Sequence, residues 1–171
     1  MNRLILLLCL LTSVHAFSQT VDTDQKNYPT SPSIDLTPGE LCTKPDMLRY
    51  PEQISYCHRD VDSSMKSKVI QEYMQKISGF NITFANRNEY KIDHYIPLCM
   101  GGANTITNLW PQHMSVYKYT DSLELNICKE LELGKITQAV AVLKIKFAKN
   151  YLQQVIESPD AMAYVRDNYD K

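Results

Sequence analysis

The stretch that decides the fold runs from residue 92 to residue 112 and reads Ile-Asp-His-Tyr-Ile-Pro-Leu-Cys-Met-Gly-Gly-Ala-Asn-Thr-Ile-Thr-Asn-Leu-Trp-Pro-Gln. It places an acid beside a histidine, Asp93 and His94. A Pro-Leu step, a double-glycine turn and Asn108 in Asn-Leu-Trp-Pro follow. The pattern predicts a first strand over residues 89–98, a crossing loop, and a return strand over residues 104–110.

The residue types in this stretch suit the hydrolysis of a phosphodiester bond. That reaction needs an activated water and neutralisation of charge at the phosphate. A histidine can take the proton from water, and a carboxylate can hold a divalent metal against phosphate oxygens. Adjacent residues on a strand point to opposite faces, so Asp93 and His94 would need a twist, a bulge or a strand end to converge. Asn108 could fix the imidazole of His94 by accepting its ring N–H.

The stretch resembles the core of the HNH endonucleases, the ββα-metal or His-Me finger class. The motif itself covers about residues 89–125. A looser similarity to small exported bacterial HNH proteins runs from about Leu41 to Ala139. It rests on Leu-Cys at 41–42, Tyr-Cys at 56–57, the motif, and Gly-Lys-Ile-Thr-Gln at 134–138.

The resemblance implies a role for each motif residue. His94 would be the general base, Asp93 a metal ligand, and Asn108 the residue that orients His94 and stabilises the loop. The family usually takes its remaining ligand, a His or Asn, from the helix after the second strand. His113 is the first candidate here and Asp121 the next.

Each of these roles has a plainer alternative. His94 could be a structural histidine with hydrogen-bonded ring nitrogens, and Asp93 could cap a strand end or a turn. Asp121 and Glu124 also fit a helix capping box, with Asp121 as the N-cap. The family's helix ligand is usually His or Asn, whereas the candidates here are His113, just before the predicted helix, and Asp121. This departure from the family pattern bears on metal binding, and with it on full activity.

The implied cofactor is a divalent ion, Mg²⁺ in the first place, with Mn²⁺, Ni²⁺ or Zn²⁺ as alternatives. The implied partner is nucleic acid, DNA before RNA. Arg59 and Arg87 are the candidate phosphate contacts.

The chain begins with a pattern typical of export. Residues 1–16 combine Arg3, an apolar run and Val-His-Ala, which predicts a cleaved signal peptide and a periplasmic or secreted protein without stable membrane association. Residues 17–38, rich in Thr, Ser, Asp and Pro, are expected to be a flexible leader. Residues 39–171 would then form one domain with its ββα core at about 89–133.

Helical periodicity surrounds the motif. Residues 62–78 carry one apolar face and can be capped by Asp62 or Ser63. A helix from Asp121 to about Leu133 should stop at Gly134, and Thr137 can cap another helix that extends to about Ile156. A short helix could follow the break at 158–160. The predicted class is α+β, with helix dominant.

Four cysteines remain after signal cleavage: Cys42, Cys57, Cys99 and Cys128. In an oxidising compartment an even count suggests disulfides, and three pairings are possible. We favour Cys42–Cys57, which closes a short loop ahead of the first helix. Cys99–Cys128 would join the loop of the motif to the following helix, with two buried free thiols as the alternative.

The overall charge is modest evidence against tight binding of long nucleic-acid tracts. Loss of Arg3 with the signal peptide leaves 17 basic and 19 acidic residues, a net charge of −2. A bound metal would nevertheless supply positive charge where a phosphate sits. The prediction is therefore an exported, disulfide-stabilised, metal-dependent HNH endonuclease of low sequence specificity. The alternative is an inactive HNH scaffold that acts as a binding module.

Overall fold

The computed structural model describes residues 27–158 and residue 160, so the predicted signal peptide and the predicted closing helix lie outside the described residues. These described residues form a helix-rich α+β fold with two small antiparallel sheets and two disulfides. Within residues 27–158 and 160, no helix is long and apolar enough to cross a membrane.

The longest connections along the chain are residues 77–89, between the first long helix and the motif, and residues 95–108, between the two strands of the motif. A hairpin of two three-residue strands comes first and a long helix second, then the two strands of the motif, and finally three helices. Their bounds are β1 Met47–Arg49, β2 Ile54–Tyr56, α1 Ser63–Lys76, β3 Tyr90–His94, β4 Leu109–His113, α2 Met114–Glu132, α3 Gln138–Asn150 and α4 Leu152–Glu157.

Helix α1 begins where the sequence predicts. The carboxylate of Asp62 accepts a hydrogen bond from the main-chain N–H of Met65 at 2.7 Å, which satisfies an otherwise unpaired donor of the first turn. The apolar face then buries Val69 and Tyr73 against β4.

Strands β3 and β4 are shorter than expected and pair in antiparallel register, from Tyr90 opposite His113 to His94 opposite Leu109. The ladder ends at His94 because the main chain of Ile96 is hydrogen-bonded by the side chain of Asn108 instead of by a neighbouring strand. The predicted strand limits, 89–98 and 104–110, are therefore wrong on three counts. Strand β3 ends four residues earlier than predicted, and β4 begins five residues later and ends three residues later.

Helix α2 starts at Met114, seven residues before the predicted N-cap. His113 is the cap, since its Nδ1 accepts from the N–H of Ser115 at 3.2 Å. Asp121 lies on the exposed face within the helix, where its carboxylate pairs with Lys91. The capping-box interpretation of residues 121–124 is wrong because nothing in residues 114–120 interrupts a helix. The end before Gly134 is as predicted.

The predicted helix from Thr137 to Ile156 is two helices. The hydroxyl of Thr137 caps α3 by accepting from the N–H of Val140, as expected. The helix ends at Asn150, and α4 restarts at Leu152. Tyr151, at φ −123° and ψ 39°, is the break between them.

The described part of the predicted leader is packed against the domain. The hydroxyl of Thr37 is fully buried, donates to the carbonyl of Leu109 at 2.9 Å and lies 2.8 Å from the hydroxyl of Tyr73. Tyr28 stacks on His113. Residues 27–38 therefore differ from a flexible leader, because their side chains find buried partners that composition does not reveal.

The favoured disulfide, Cys42–Cys57, is present, and so is Cys99–Cys128, for which two buried free thiols were the alternative. Cys42–Cys57 closes the segment that holds the β1–β2 hairpin, and Cys99–Cys128 joins the β3–β4 loop to α2. Two cross-links are typical of proteins that fold outside a reducing compartment.

Two apolar clusters lie around the loop between β3 and β4. One fills the space between α2, α3 and the loop, and includes Met100, Leu131 and Ile145. The other lies between α1 and the β3–β4 pair, and includes Tyr73 and Trp110. The loop and the end of β3 are thus held from both sides.

Candidate functional site

His94 lies at the end of β3 with only 3% of its surface exposed. Its Nε2 is 3.0 Å from Oδ1 of Asn104. The amide nitrogen of Asn104 donates to the carbonyl of His58 at 2.6 Å, which turns Oδ1 toward the ring. An amide oxygen can only accept, so Nε2 carries the ring proton and Nδ1 keeps a free electron pair.

The free Nδ1 of His94 faces a cation. Nη1 of Arg59 lies 3.5 Å from Nδ1, and Nη2 of Arg59 donates to the carbonyl of Ile92 at 3.2 Å. Arg59 itself is an exposed residue. The geometry therefore presents a proton acceptor and a guanidinium side by side, with the guanidinium on the solvent side.

Burial is the main reason why the pKa of His94 is lowered, and the positive charges of Arg59 and Lys149 add to the effect. The hydrogen bond to Asn104 and the carboxylate of Asp93 act in the opposite direction without cancelling it. The ring is therefore neutral at neutral pH, the state in which Nδ1 can accept a proton.

We expect the ring of His94 to titrate with a midpoint below the ordinary histidine value of 6.5, as the Nε2–H tautomer. Because the folded state binds this proton more weakly than the unfolded state, the stability from this group is complete above pH 6.5. It is lost as the pH falls through the folded pKa. Two-dimensional NMR of the ring nitrogens, assigned with His94→Gln, measures both properties. An Nδ1–H tautomer, or a midpoint above 6.5, would contradict the assignment.

The side chain of Asn108 makes no hydrogen bond to the imidazole, contrary to the prediction that it orients His94. Its side chain is fully buried and binds main chain instead: Oδ1 accepts from the N–H of Ile96, and Nδ2 donates to the carbonyls of Ile96 and Ala103, each at 2.9 Å. The predicted loop-stabilising role is thus the one seen. Asn104, four residues earlier, contacts the ring because the loop passes over the end of β3 at that point.

Asp93 points away from His94, as alternation along a strand requires. Its Oδ2 lies 3.4 Å from the ammonium of Lys91 and 4.0 Å from that of Lys149. Burial acts to raise the pKa of Asp93, but the two ammonium groups outweigh it and leave the pKa lowered. No twist or bulge brings the acid and the histidine onto one face.

Lys149 on α3 is the residue that sequence reasoning missed. Its side chain is fully buried, and its Nζ donates to the carbonyl of His94 at 2.6 Å and to Glu124 on α2 at 3.4 Å. Burial raises the pKa of Glu124, and Lys149 opposes that shift. A lysine on the apolar stripe of Ala141, Ile145 and Ala148 was the available signal.

Of the other predicted metal ligands, His113 lies far from Asp93, whereas Asp121 and Asp93 flank the same ammonium, that of Lys91. His113 stands opposite Tyr90, three residues along β4 from the partner of Asp93, a separation of about 10 Å at strand spacing. Its Nε2 contacts Glu89 at 3.2 Å. Asp121 pairs with Lys91 at 2.6 Å.

The predicted donor set therefore does not fit a divalent ion as these residues stand. His113 is too far along the ladder, and ammonium groups already neutralise Asp93 and Asp121. Across the described part of the chain, no group of three His, Cys, Asp or Glu side chains could hold a metal.

Of the two predicted phosphate contacts, only Arg59 lies at His94. Arg87 donates to the carbonyl of Tyr90 at 2.8 Å, at the opposite end of β3. The disulfide partner Cys57 precedes His58 directly, so the Cys42–Cys57 bond anchors the segment that carries both Arg59 and the carbonyl that orients Asn104.

Comparison with known proteins adds no relative: no family model matches the chain, and neither a curated protein nor a solved structure matches it.

Proposed function

We propose that the protein is an exported nuclease that hydrolyses phosphodiester bonds in DNA, with His94 as the general base and Arg59 as the phosphate contact. The observation that carries the proposal is the imidazole of His94, whose Nε2 is held by Asn104 and whose Nδ1 faces the exposed guanidinium of Arg59. The order β3, β4, α2, with the histidine at the end of β3, is the order that an HNH finger requires, and it supports the same assignment.

The chemistry follows from these two side chains. A phosphate bound by Arg59 would draw the guanidinium away from Nδ1 and leave that nitrogen open to a water. Nδ1 would take a proton from the water as its oxygen attacks phosphorus. The bond to the leaving oxygen would break, that oxygen would take up a proton, and the products would be a phosphate monoester and an alcohol. The predicted divalent ion enters no step here, because its expected ligands do not fit it.

The alternative is a binding protein that keeps the scaffold without catalysis. The low exposure of His94 favours it, since a base must reach its water. If Arg59 stayed in its position beside Nδ1, its guanidinium would keep water away from that nitrogen.

An assay of supercoiled-plasmid cleavage decides between the nuclease and the binding protein. The oxidised protein is tested with Mg²⁺, with Mn²⁺ and with EDTA. We expect His94→Gln to lower the cleavage rate about 100-fold or more, since a positioned base contributes at least that factor. Arg59→Ala should lower it as well, whereas Arg87→Ala, a matched change away from His94, should leave it near the wild-type rate.

Thermal unfolding of each variant shows that a lost rate is not a lost fold. Absence of cleavage of DNA and of RNA by folded wild-type protein under every condition would contradict the nuclease proposal. Cleavage that survives His94→Gln would show that His94 is not the base.

A further inference from the structure

Three oxygen atoms converge on one buried point between β3, α2 and α3. They are the carbonyl oxygen of His94, Oε2 of Glu124 and Oδ2 of Asp93. Carboxylate and carbonyl oxygens are the ligands that hard divalent cations take in proteins. The group that lies between them is the ammonium of Lys149, at 2.6, 3.4 and 4.0 Å from the three atoms.

The ammonium of Lys149 compensates the negative charge of the two carboxylates at this point. A buried carboxylate is costly unless an opposite charge compensates it, and the side chains of Asp93 and Glu124 are 15% and 29% exposed. Among the described residues, no group donates a hydrogen bond to Oδ2 of Asp93, so its compensation comes from the nearby ammonium charges. Lys91, at 3.4 Å from the same oxygen, adds a second positive charge.

We propose that Lys149 is a built-in cation that takes the place of a divalent metal at the junction of β3, α2 and α3. The tethered ammonium holds the main chain of His94 and the carboxylates of Asp93 and Glu124 in position. A divalent ion is excluded from this point by the volume of the ammonium and by repulsion from Lys149 and Lys91.

Lys149→Ala removes the ammonium and leaves a space bordered by the three oxygen atoms. The variant should therefore gain a site for Mn²⁺, and Glu124→Gln introduced in the same chain should remove it again.

Electron paramagnetic resonance of free Mn²⁺, titrated into the full-length oxidised protein at neutral pH, is the experiment. We expect Lys149→Ala to bind Mn²⁺ at least about tenfold more tightly than wild type, because a like charge has been removed from the site. Isothermal titration calorimetry gives the stoichiometry. Both readouts are independent of whether the protein cleaves nucleic acid.

Lys144→Ala is the matched control. Lys144 is also a nearly buried lysine of α3, but among residues 27–158 and 160 its ammonium pairs with one carboxylate, that of Glu130, whose side chain is 41% exposed. One partly exposed carboxylate gives a divalent ion too few ligands, so this variant should bind Mn²⁺ like wild type.

Two results would overturn the proposal. One is wild-type binding of Mn²⁺ that Glu124→Gln abolishes, and the other is a folded Lys149→Ala protein that binds no more Mn²⁺ than wild type. Should Lys149→Ala be unfolded, Mn²⁺ is added to it. Refolding that depends on Mn²⁺ supports the proposal, because ion binding then contributes the missing folding energy, and an unfolded chain at every Mn²⁺ concentration overturns it.

Discussion

Replacement of Lys149 by methionine is expected to lower the free energy of unfolding by about 3–5 kcal/mol, the range for removing one partner of a buried charge pair. Methionine keeps the apolar stem of the side chain and fills much of its volume, so the change isolates the ammonium. The carbonyl of His94 loses its donor, and Glu124 and Asp93 lose the cation between them. Urea denaturation followed by circular dichroism measures the difference.

Lys144→Met is the control for this prediction. The ammonium of Lys144 pairs with the partly exposed Glu130, so water can replace the lost partner, and we expect a change of about 1 kcal/mol or less. Equal stability of wild type and Lys149→Met would show that the buried ammonium contributes nothing that a methionine cannot replace.

The stability deficit of Lys149→Met should shrink at low pH. Burial already raises the pKa of Glu124, and without Lys149 the carboxyl would take up its proton at a higher pH still. A group whose folded pKa is raised stabilises the fold below its unfolded pKa and loses that contribution as the pH rises. In wild type the lowered pKa of Asp93 acts in the other direction, because the stability from this group is lost as the pH falls below 3.8. The two unfolding curves should therefore approach each other in acid.

Local signals in the sequence were sufficient for some elements and misleading for others. The start of α1 depends on Asp62 and a donor three residues later, and both are visible in the sequence. The start of α2 was misplaced because residues 121–124 match a capping box, whereas the cap is His113, a residue rarely expected in that role. A short-range pattern locates the start of a helix only where no other pattern nearby predicts a different start.

The candidate site was predictable in its motif and not in its contacts. His94 is at the strand end that the motif indicates, but whether Asn104 or Asn108 holds it depends on the path of a loop, which no local pattern encodes. Lys149 lies 55 residues from His94 in sequence, and their contact depends on how α3 packs against β3. A lysine on an apolar helix face is the one sequence feature that pointed toward this contact.

Gly102→Ala is expected to lower the free energy of unfolding by about 3 kcal/mol or more, at or above the usual range for overpacking. A Cβ at this position would lie 1.8 Å from the carbonyl oxygen of Ile96 and 2.9 Å from Nδ2 of Asn108. The sequence predicts a turn from the glycine pair, and Gly101, at φ 82°, fits that explanation. Gly102 has no positive φ, so glycine is needed there for a different reason: its backbone and that of Ile96 approach too closely for a Cβ to fit.

The clash would disrupt the hydrogen bond that fixes the loop, in which Nδ2 of Asn108 donates to the carbonyl of Ile96. Urea denaturation gives the stability, and the NMR signal of the His94 ring reports whether Asn104 still holds it. Gly79→Ala is the matched control: φ is 77° and the nearest atom, Oδ1 of Asn27, would be 3.8 Å from the Cβ, so only backbone strain of about 1–2 kcal/mol is expected. If Gly102→Ala loses no more stability than Gly79→Ala, the close approach of Ile96 and Asn108 does not constrain this position. A larger loss in Gly102→Ala, with a shifted His94 signal, would show that this glycine supports the site through the approach of Ile96 and Asn108.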